Sequence, residues 1–161
     1  MAANILFLCT GNSARSILAE ALLNHLGRPR FLAHSAGSQP KGMVHPMTLA
    51  ALAESKLPTE GYRSKRWEEF AQPGTPVLDL VITVCDEAAG EVCPVWPGQP
   101  VSAHWSLPDP AAVEGDDLQR HQAFVDAMVA LRRRIELMLA LPLERLGAIA
   151  LQSQVRDIGQ H

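Results

Sequence analysis

Two short runs, Asn4–Cys9 (NILFLC) and Asp79–Cys85 (DLVITVC), constrain this chain more than anything else in it. Each is apolar at consecutive positions rather than alternate ones, so each has to be covered on both faces, as inner strands of a parallel sheet are. Parallel strands need helical crossovers, and the flanking pattern supplies them. From Ser16 onward Ile17, Leu18, Ala21, Leu22 and Leu26 share one helical face until Gly27 ends it. Residues 31–37 (FLAHSAG) read as a second strand, residues 45–56 as a second helix with Leu49, Leu52 and Ala53 inward, and residues 64–70 as a short third helix. After the run at 79–85 come a Gly- and Pro-marked loop over 86–100 and a weaker strand over 101–107. A last long helix follows over about 117–141, where Val125, Met128, Leu131, Ile135 and Met138 recur at three- and four-residue steps. The expectation is an α/β chain, one domain over residues 1–161, with a parallel sheet covered by helices on both faces. Ligands of such sheets bind beyond the carboxyl ends of the strands, where the loops after Cys9, Cys85 and Leu107 converge.

Composition excludes several classes. With 161 residues, 47% of them hydrophobic, the chain has enough apolar material for a core without staples. A formal charge of -3 gives no basic stripe for nucleic acid, and Arg132–Arg134 sit in a helical pattern as a solvated face. No run approaches the roughly 18 apolar residues of a spanning helix, and the opening MAANILFLCTGN lacks the basic region of a secretory leader. A cytoplasmic protein without a membrane partner is expected. Three cysteines, Cys9, Cys85 and Cys93, are an odd number for a disulfide framework and leave metal or redox chemistry open.

The segment around Cys9 narrows the chemistry. A loop over Thr10, Gly11, Asn12, Ser13 and Ala14, between a strand and a helix N-terminus, can turn its backbone N–H groups inward as a nest for a tetrahedral oxyanion. Gly11 would allow the positive φ such a turn needs. Arg15 adds a planar two-donor fork for the same anion, and Ser16 can donate its hydroxyl to the Cys9 sulfur. The same positive features favour a thiolate at Cys9, so nucleophile and anion cradle come in one segment. A buried cysteine before an ordinary turn is the plainer reading; the C-x5-R-S spacing at a strand-to-helix junction favours the functional one. Neither nucleotide-binding glycine fingerprint is present here. Asp109 lies between two prolines, which hold it extended, either as a plain turn or as an acid for a leaving group.

Together FLCTGNSARS (7–16), HSAGS (34–38) and LPDP (107–110) resemble the low-molecular-weight protein tyrosine phosphatase superfamily and, within it, the arsenate reductases. The resemblance implies a four-stranded parallel sheet flanked by helices, with Cys9 as nucleophile, Arg15 as anion clamp, Ser16 as thiolate partner and Asp109 as general acid. The other thiols separate the two branches. Phosphoester hydrolysis needs one thiol, whereas reducing arsenate to arsenite needs two electrons, which a second thiol supplies by leaving a disulfide. The spare cysteines favour reduction. Cys85 and Cys93, with seven residues between them, resemble the pair that carries the disulfide outward in thioredoxin-coupled arsenate reductases.

The expected substrate is therefore arsenate, with phosphate or sulfate competing. The external reductant would be thioredoxin, or glutathione with glutaredoxin, or a similar low-molecular-weight thiol, and no bound cofactor is expected. With 5% aromatic residues and DPAA after the acid, where the phosphatases it resembles carry tyrosines, the chain suits a small inorganic anion. A tyrosine or small-phosphoester phosphatase is the alternative. A zinc pair of Cys85 and Cys93 with His104 would lack both a C-x-x-C spacing and a fourth ligand. Asn12, Glu20 and Ser35 match ligands of a potassium ion held by some arsenate reductases of the family. Lys65 stands where an acidic fourth belongs; its ammonium would replace the cation, and no metal is expected. Trp67, Trp96 and Trp105 read as packing residues.

Overall fold

The structure, a computed structural model, describes residues 3–85, 96, 100–142 and 148–160. Its regular elements are β1 (Ala3–Cys9), α1 (Arg15–Gly27), β2 (Phe31–Gly37), α2 (Pro46–Glu54), β3 (Leu80–Thr83), β4 (Val101–His104), α3 (Asp117–Leu139) and α4 (Ala148–Ile158). Short 3₁₀ helices occupy Trp67–Ala71 and Pro110–Ala112. The four strands form one parallel sheet in the order β2-β1-β3-β4, as the apolar runs require.

β1 is covered on both faces. Ile5 and Phe7 enter the larger core, built from α1, α3 and α4, while Leu6 and Leu8 pack with Trp67, Phe70 and Leu78 of the second face. A capping box starts α3: Asp116 accepts from the Gln119 N–H at 2.8 Å, and the Gln119 side chain accepts from the Asp116 N–H at 3.0 Å. Trp105, fully buried beyond β4, donates its indole N–H to the Val155 carbonyl at 2.9 Å and so fastens α4 to the sheet. Among the described residues no helix is long and apolar enough to cross a membrane.

The strand order positions the site. From β1 the chain moves to one side to make β2, then crosses β1 to make β3 on the other, so the direction of winding reverses at the carboxyl end of β1. A crevice opens at such a reversal. Leu8 pairs with Thr83, and Val84 donates its N–H to the Leu8 carbonyl at 2.8 Å. Cys9 and Cys85 therefore leave adjacent strands side by side.

Several expectations shift. The helix anticipated over 64–70 is the 3₁₀ segment Trp67–Ala71, entered from extended backbone at Arg66. In α2 the inward residues are Thr48, Ala51 and Leu52, and Ala53 is exposed, because the helix starts only at Pro46 behind the His45 cap. The ladders stop at Thr83 and His104, short of the runs ending at 85 and 107. Arg132 and Arg133 are solvated, but Arg134 is 9% exposed and donates to the Ser106 carbonyl at 2.7 Å, so the three arginines do not form one solvated face. α4 was not anticipated: its i, i+4, i+7 residues Leu151, Val155 and Ile158 carry no cap or breaker signal, and the helix is held by Trp105.

One glycine is needed for close approach. Gly37 pairs with Cys9 at the end of β2, and a Cβ there would lie within van der Waals contact of the Thr10 carbonyl oxygen and 2.8 Å from that of Cys9. Gly37→Ala should lower unfolding stability by about 1–3 kcal/mol, read in urea titrations. An unchanged midpoint would mean that the Cys9 end of the sheet is loosely packed.

Candidate active site

The loop between β1 and α1 is shaped by what its carbonyls bind. Thr10 O accepts from the Gln39 N–H at 3.0 Å, Gly11 O from the Lys41 N–H at 3.0 Å and the Ser64 hydroxyl at 3.2 Å, and Ser13 O from the His45 N–H at 3.0 Å and the Thr48 hydroxyl at 2.9 Å. In a trans peptide the C=O and the following N–H point opposite ways, so these outward carbonyls turn the N–H groups of Gly11, Asn12 and Ala14 inward. α1 follows at Arg15 with no side-chain cap on its first turn, leaving its N-terminal donors for an anion. The loop lines a cavity of about 290 Å³ together with Cys9, Arg15, Asp109, Gln39 and Lys41.

The positive φ is taken by Asn12, at 42°, and not by Gly11. Asparagine tolerates the left-handed region, and here its side chain accounts for the choice. Asn12 is fully buried; Nδ2 donates to Ser16 Oγ at 2.8 Å and Ser35 Oγ at 3.0 Å, and Oδ1 accepts from the Lys65 N–H at 2.8 Å. Gly11 matters for space: a Cβ there would stand 3.2 Å from Lys41 Cε.

Cys9 is 3% exposed, with Sγ 3.0 Å from Ser16 Oγ. Ser16 Oγ already accepts from Asn12, which leaves its proton for the sulfur. Cys85, buried just beyond β3, hydrogen-bonds to the Cys9 thiol and lowers its pKa most; burial opposes this, and Ser16 and the Arg15 charge add to the lowering. The balance brings Cys9 from 9.0 down to about 6. Cys85 Sγ accepts from the Thr10 N–H at 3.2 Å and lies 3.6 Å from Thr10 Oγ1, so the first N–H of the loop is directed to the second thiol. Cys93 lies outside the described residues.

Arg15 is held ready rather than free. Its Nη1 donates to the Leu107 carbonyl at 2.9 Å and Nη2 lies 3.7 Å from Asp109 Oδ2. Asp109 is extended, at φ -77° and ψ 109°, and its Oδ1 accepts from the Ala111 N–H at 3.0 Å, an arrangement that leaves Oδ2 facing Arg15. Sequence reasoning missed Gln39 and Lys41; neither belongs to a motif, and only the need for some segment to bind the loop carbonyls could have pointed to them.

The residues matched to a potassium site satisfy one another. Ser35 donates to Glu20 Oε1 at 2.6 Å, and Asn12 presents its amide N–H groups rather than its oxygen to Ser35 and Ser16. These donors do not suit a cation. Burial raises the Glu20 pKa against the Ser35 hydrogen bond and the charges of Lys65 and Arg63. The Lys65 ammonium donates to the Arg63 carbonyl at 3.0 Å, and its charge acts on Glu20. His104 Nδ1 is 2.7 Å from Thr83 Oγ1, and among the described residues no three His, Cys, Asp or Glu side chains converge as a metal site.

The sequence profile of the low molecular weight phosphotyrosine protein phosphatases matches residues 4–141. The chain belongs to that family. Within this phosphatase family its similarity runs to arsenate reductases: that of Halalkalibacterium halodurans is 33% identical over 132 residues, 82% of this chain and 91% of that protein. A solved arsenate reductase in its phosphate binding state superposes with a TM-score of 0.66 at 26% identity, over 86% of this chain and 97% of that one. The thioredoxin-dependent arsenate reductase Cg_ArsC1' of Corynebacterium glutamicum gives 0.56 at 27% identity, over 84% of this chain and 63% of that one. Both solved structures share with this family member the α/β fold on which the Cys9 loop is built.

The geometry sets a pH dependence. Because the Cys9 pKa is lowered, the thiolate persists above about pH 6 and is lost as the pH falls through that value. The rate of Cys9 alkylation by iodoacetamide should rise with a midpoint near 6, ahead of Cys85. Cys85→Ala should move the midpoint up further than Ser16→Ala, following the order of the two hydrogen bonds. A midpoint near the free thiol value of about 8.5 would remove the activated nucleophile.

Proposed function

We propose that this chain is a cytoplasmic arsenate reductase, acting through a Cys9 thiolate adduct and an internal thiol relay in a single domain. The observation that carries the reading is the second thiol: Cys85 hydrogen-bonds to Cys9, which lines the anion cavity, where a phosphatase needs only one sulfur. Among the described residues lining that cavity none is aromatic, which favours a small inorganic oxyanion over a phosphotyrosine ring. The names of the relatives point the same way.

The steps follow from the contacts. Arsenate sits on the inward N–H groups of the loop and takes Arg15 as a bidentate clamp. The Cys9 thiolate attacks arsenic, and an oxygen departs as water with a proton from Asp109, leaving a Cys9–arsenic(V) adduct. Cys85 attacks the Cys9 sulfur; the S–As electron pair stays on arsenic, which leaves as arsenite, and a Cys9–Cys85 disulfide remains. The sum is one arsenate and two thiols giving one arsenite, one disulfide and one water. Cys93 then attacks Cys85, restores Cys9 and passes the disulfide outward to an external reductant. Thioredoxin is the reductant favoured by the neighbour from Corynebacterium glutamicum; glutathione with glutaredoxin serves the same chemistry. Phosphate and sulfate compete for the loop.

Two measurements test this. With arsenate and no reductant, Cys93→Ser should accumulate a Cys9–Cys85 bond and wild type a Cys85–Cys93 bond in non-reducing peptide maps, while Cys85→Ser should release no arsenite. Full single-turnover release by Cys85→Ser would overturn the relay. Asp109→Asn should slow adduct formation by about 10²–10⁴ with little change in phosphate affinity; lost affinity at an unchanged rate would make Asp109 a turn residue only.

A further inference from the structure

Lys41 is the charged cavity residue for which neither motif nor relay accounts. Its backbone N–H is bound to the Gly11 carbonyl at 3.0 Å, and the neighbouring Gln39 and Gly42 are fastened in the same way, to Thr10 O at 3.0 Å and Ser64 Oγ at 3.1 Å. The segment is thus strapped across the outside of the anion loop. Lys41 is exposed, but its stem does not leave the loop directly. It runs back over Gly11, with Cε, Cγ and Cδ at 3.2, 3.4 and 3.5 Å from the place a Cβ would occupy, and it lines the cavity that Cys9, Arg15 and Asp109 line. Among the described residues no carboxylate forms an ion pair with it. Its charge is felt at the rim, where His45 is pushed below the ordinary imidazole range by burial first, then by Arg120 and Lys41, against the pull of Asp109.

We propose that Lys41 is a second cationic arm of the oxyanion site, reaching over Gly11 to the bound anion. The inference rests on the reading of the cavity as an oxyanion site. The two cations divide the work by their chemistry. Arg15 is held by Leu107 O and faces Asp109, so it supplies a fixed planar fork. Lys41 has a flexible stem and a point charge, which suits capture of an approaching multiply charged anion and screens with salt. The absence of a side chain at Gly11 then has a specific reason: it leaves room for the lysine stem to lie against the backbone.

The test reads phosphate binding directly, as protection of Cys9 from iodoacetamide by inorganic phosphate, in the whole protein at 50, 150 and 300 mM KCl. Lys41→Gln should weaken phosphate about fivefold at the lowest salt, equivalent to about 1 kcal/mol at tenfold per 1.4, and should flatten the salt dependence. Lys41→Arg should stay within about twofold of wild type. Gly11→Ala, which pushes the stem away, should weaken phosphate when Lys41 is present and add little when combined with Lys41→Gln. Equal phosphate affinity and salt slope in wild type and Lys41→Gln would overturn the proposal. So would a Gly11→Ala loss that adds fully to that of Lys41→Gln. Because protection needs no turnover, a protein that binds phosphate through Lys41 yet reduces no arsenate would contradict the reductase reading and leave this inference standing.

Discussion

The buried side chain of Asn12 is the constraint on which the site depends. A single amide satisfies three partners on three parts of the chain: Ser16 at the start of α1, Ser35 in β2 and the Lys65 N–H before the 3₁₀ helix. It can do so only because its own backbone is left-handed, which bends the loop so that carbonyls face out and N–H groups face in. The same amide decides the polarity of Ser16, whose lone pair is occupied and whose proton is left for Cys9. Loop shape and nucleophile activation thus share one cause, and an apolar residue at position 12 would take the acceptor from the Lys65 N–H and one donor each from the buried Ser16 and Ser35 hydroxyls.

Electrostatics around Cys9 is a contest that the donors win. Burial alone would raise the pKa of a thiol in this core, yet it comes down to about 6, with the Cys85 hydrogen bond outweighing desolvation and Ser16 and Arg15 adding to it. In the proposed relay the thiol that stabilises the Cys9 charge would also take Cys9 into a disulfide. The nearness of the two thiols follows from the winding of the sheet, which sets β1 and β3 side by side at the reversal.

Much of this was legible in the sequence, and the failures have physical reasons. Apolar runs at 4–9 and 79–85 need burial on both faces, so they announced the inner strands, and C-x5-R-S announced the strand-to-helix loop after Cys9 because that pattern is local. Gly11 was given the positive φ by default, whereas Asn12 takes it through tertiary hydrogen bonds that no local pattern displays. Arg134 looked like its solvated neighbours; only the position of Ser106 across the fold explains its burial. α4 depends on Trp105 and has no start or stop signal of its own. Gln39 and Lys41 reach the cavity because their backbone binds the loop, a role that any residue type can fill except proline.

The central claim is that the two electrons delivered to arsenate come from this chain's own thiols. It is tested most directly by one stoichiometry: fully reduced protein, freed of external thiols, mixed with excess arsenate, with arsenite and free thiols counted after denaturation. The account predicts one arsenite per chain and a fall in free thiols from three to one. Three remaining thiols and no arsenite, with turnover of an aryl phosphate under the same conditions, would contradict it.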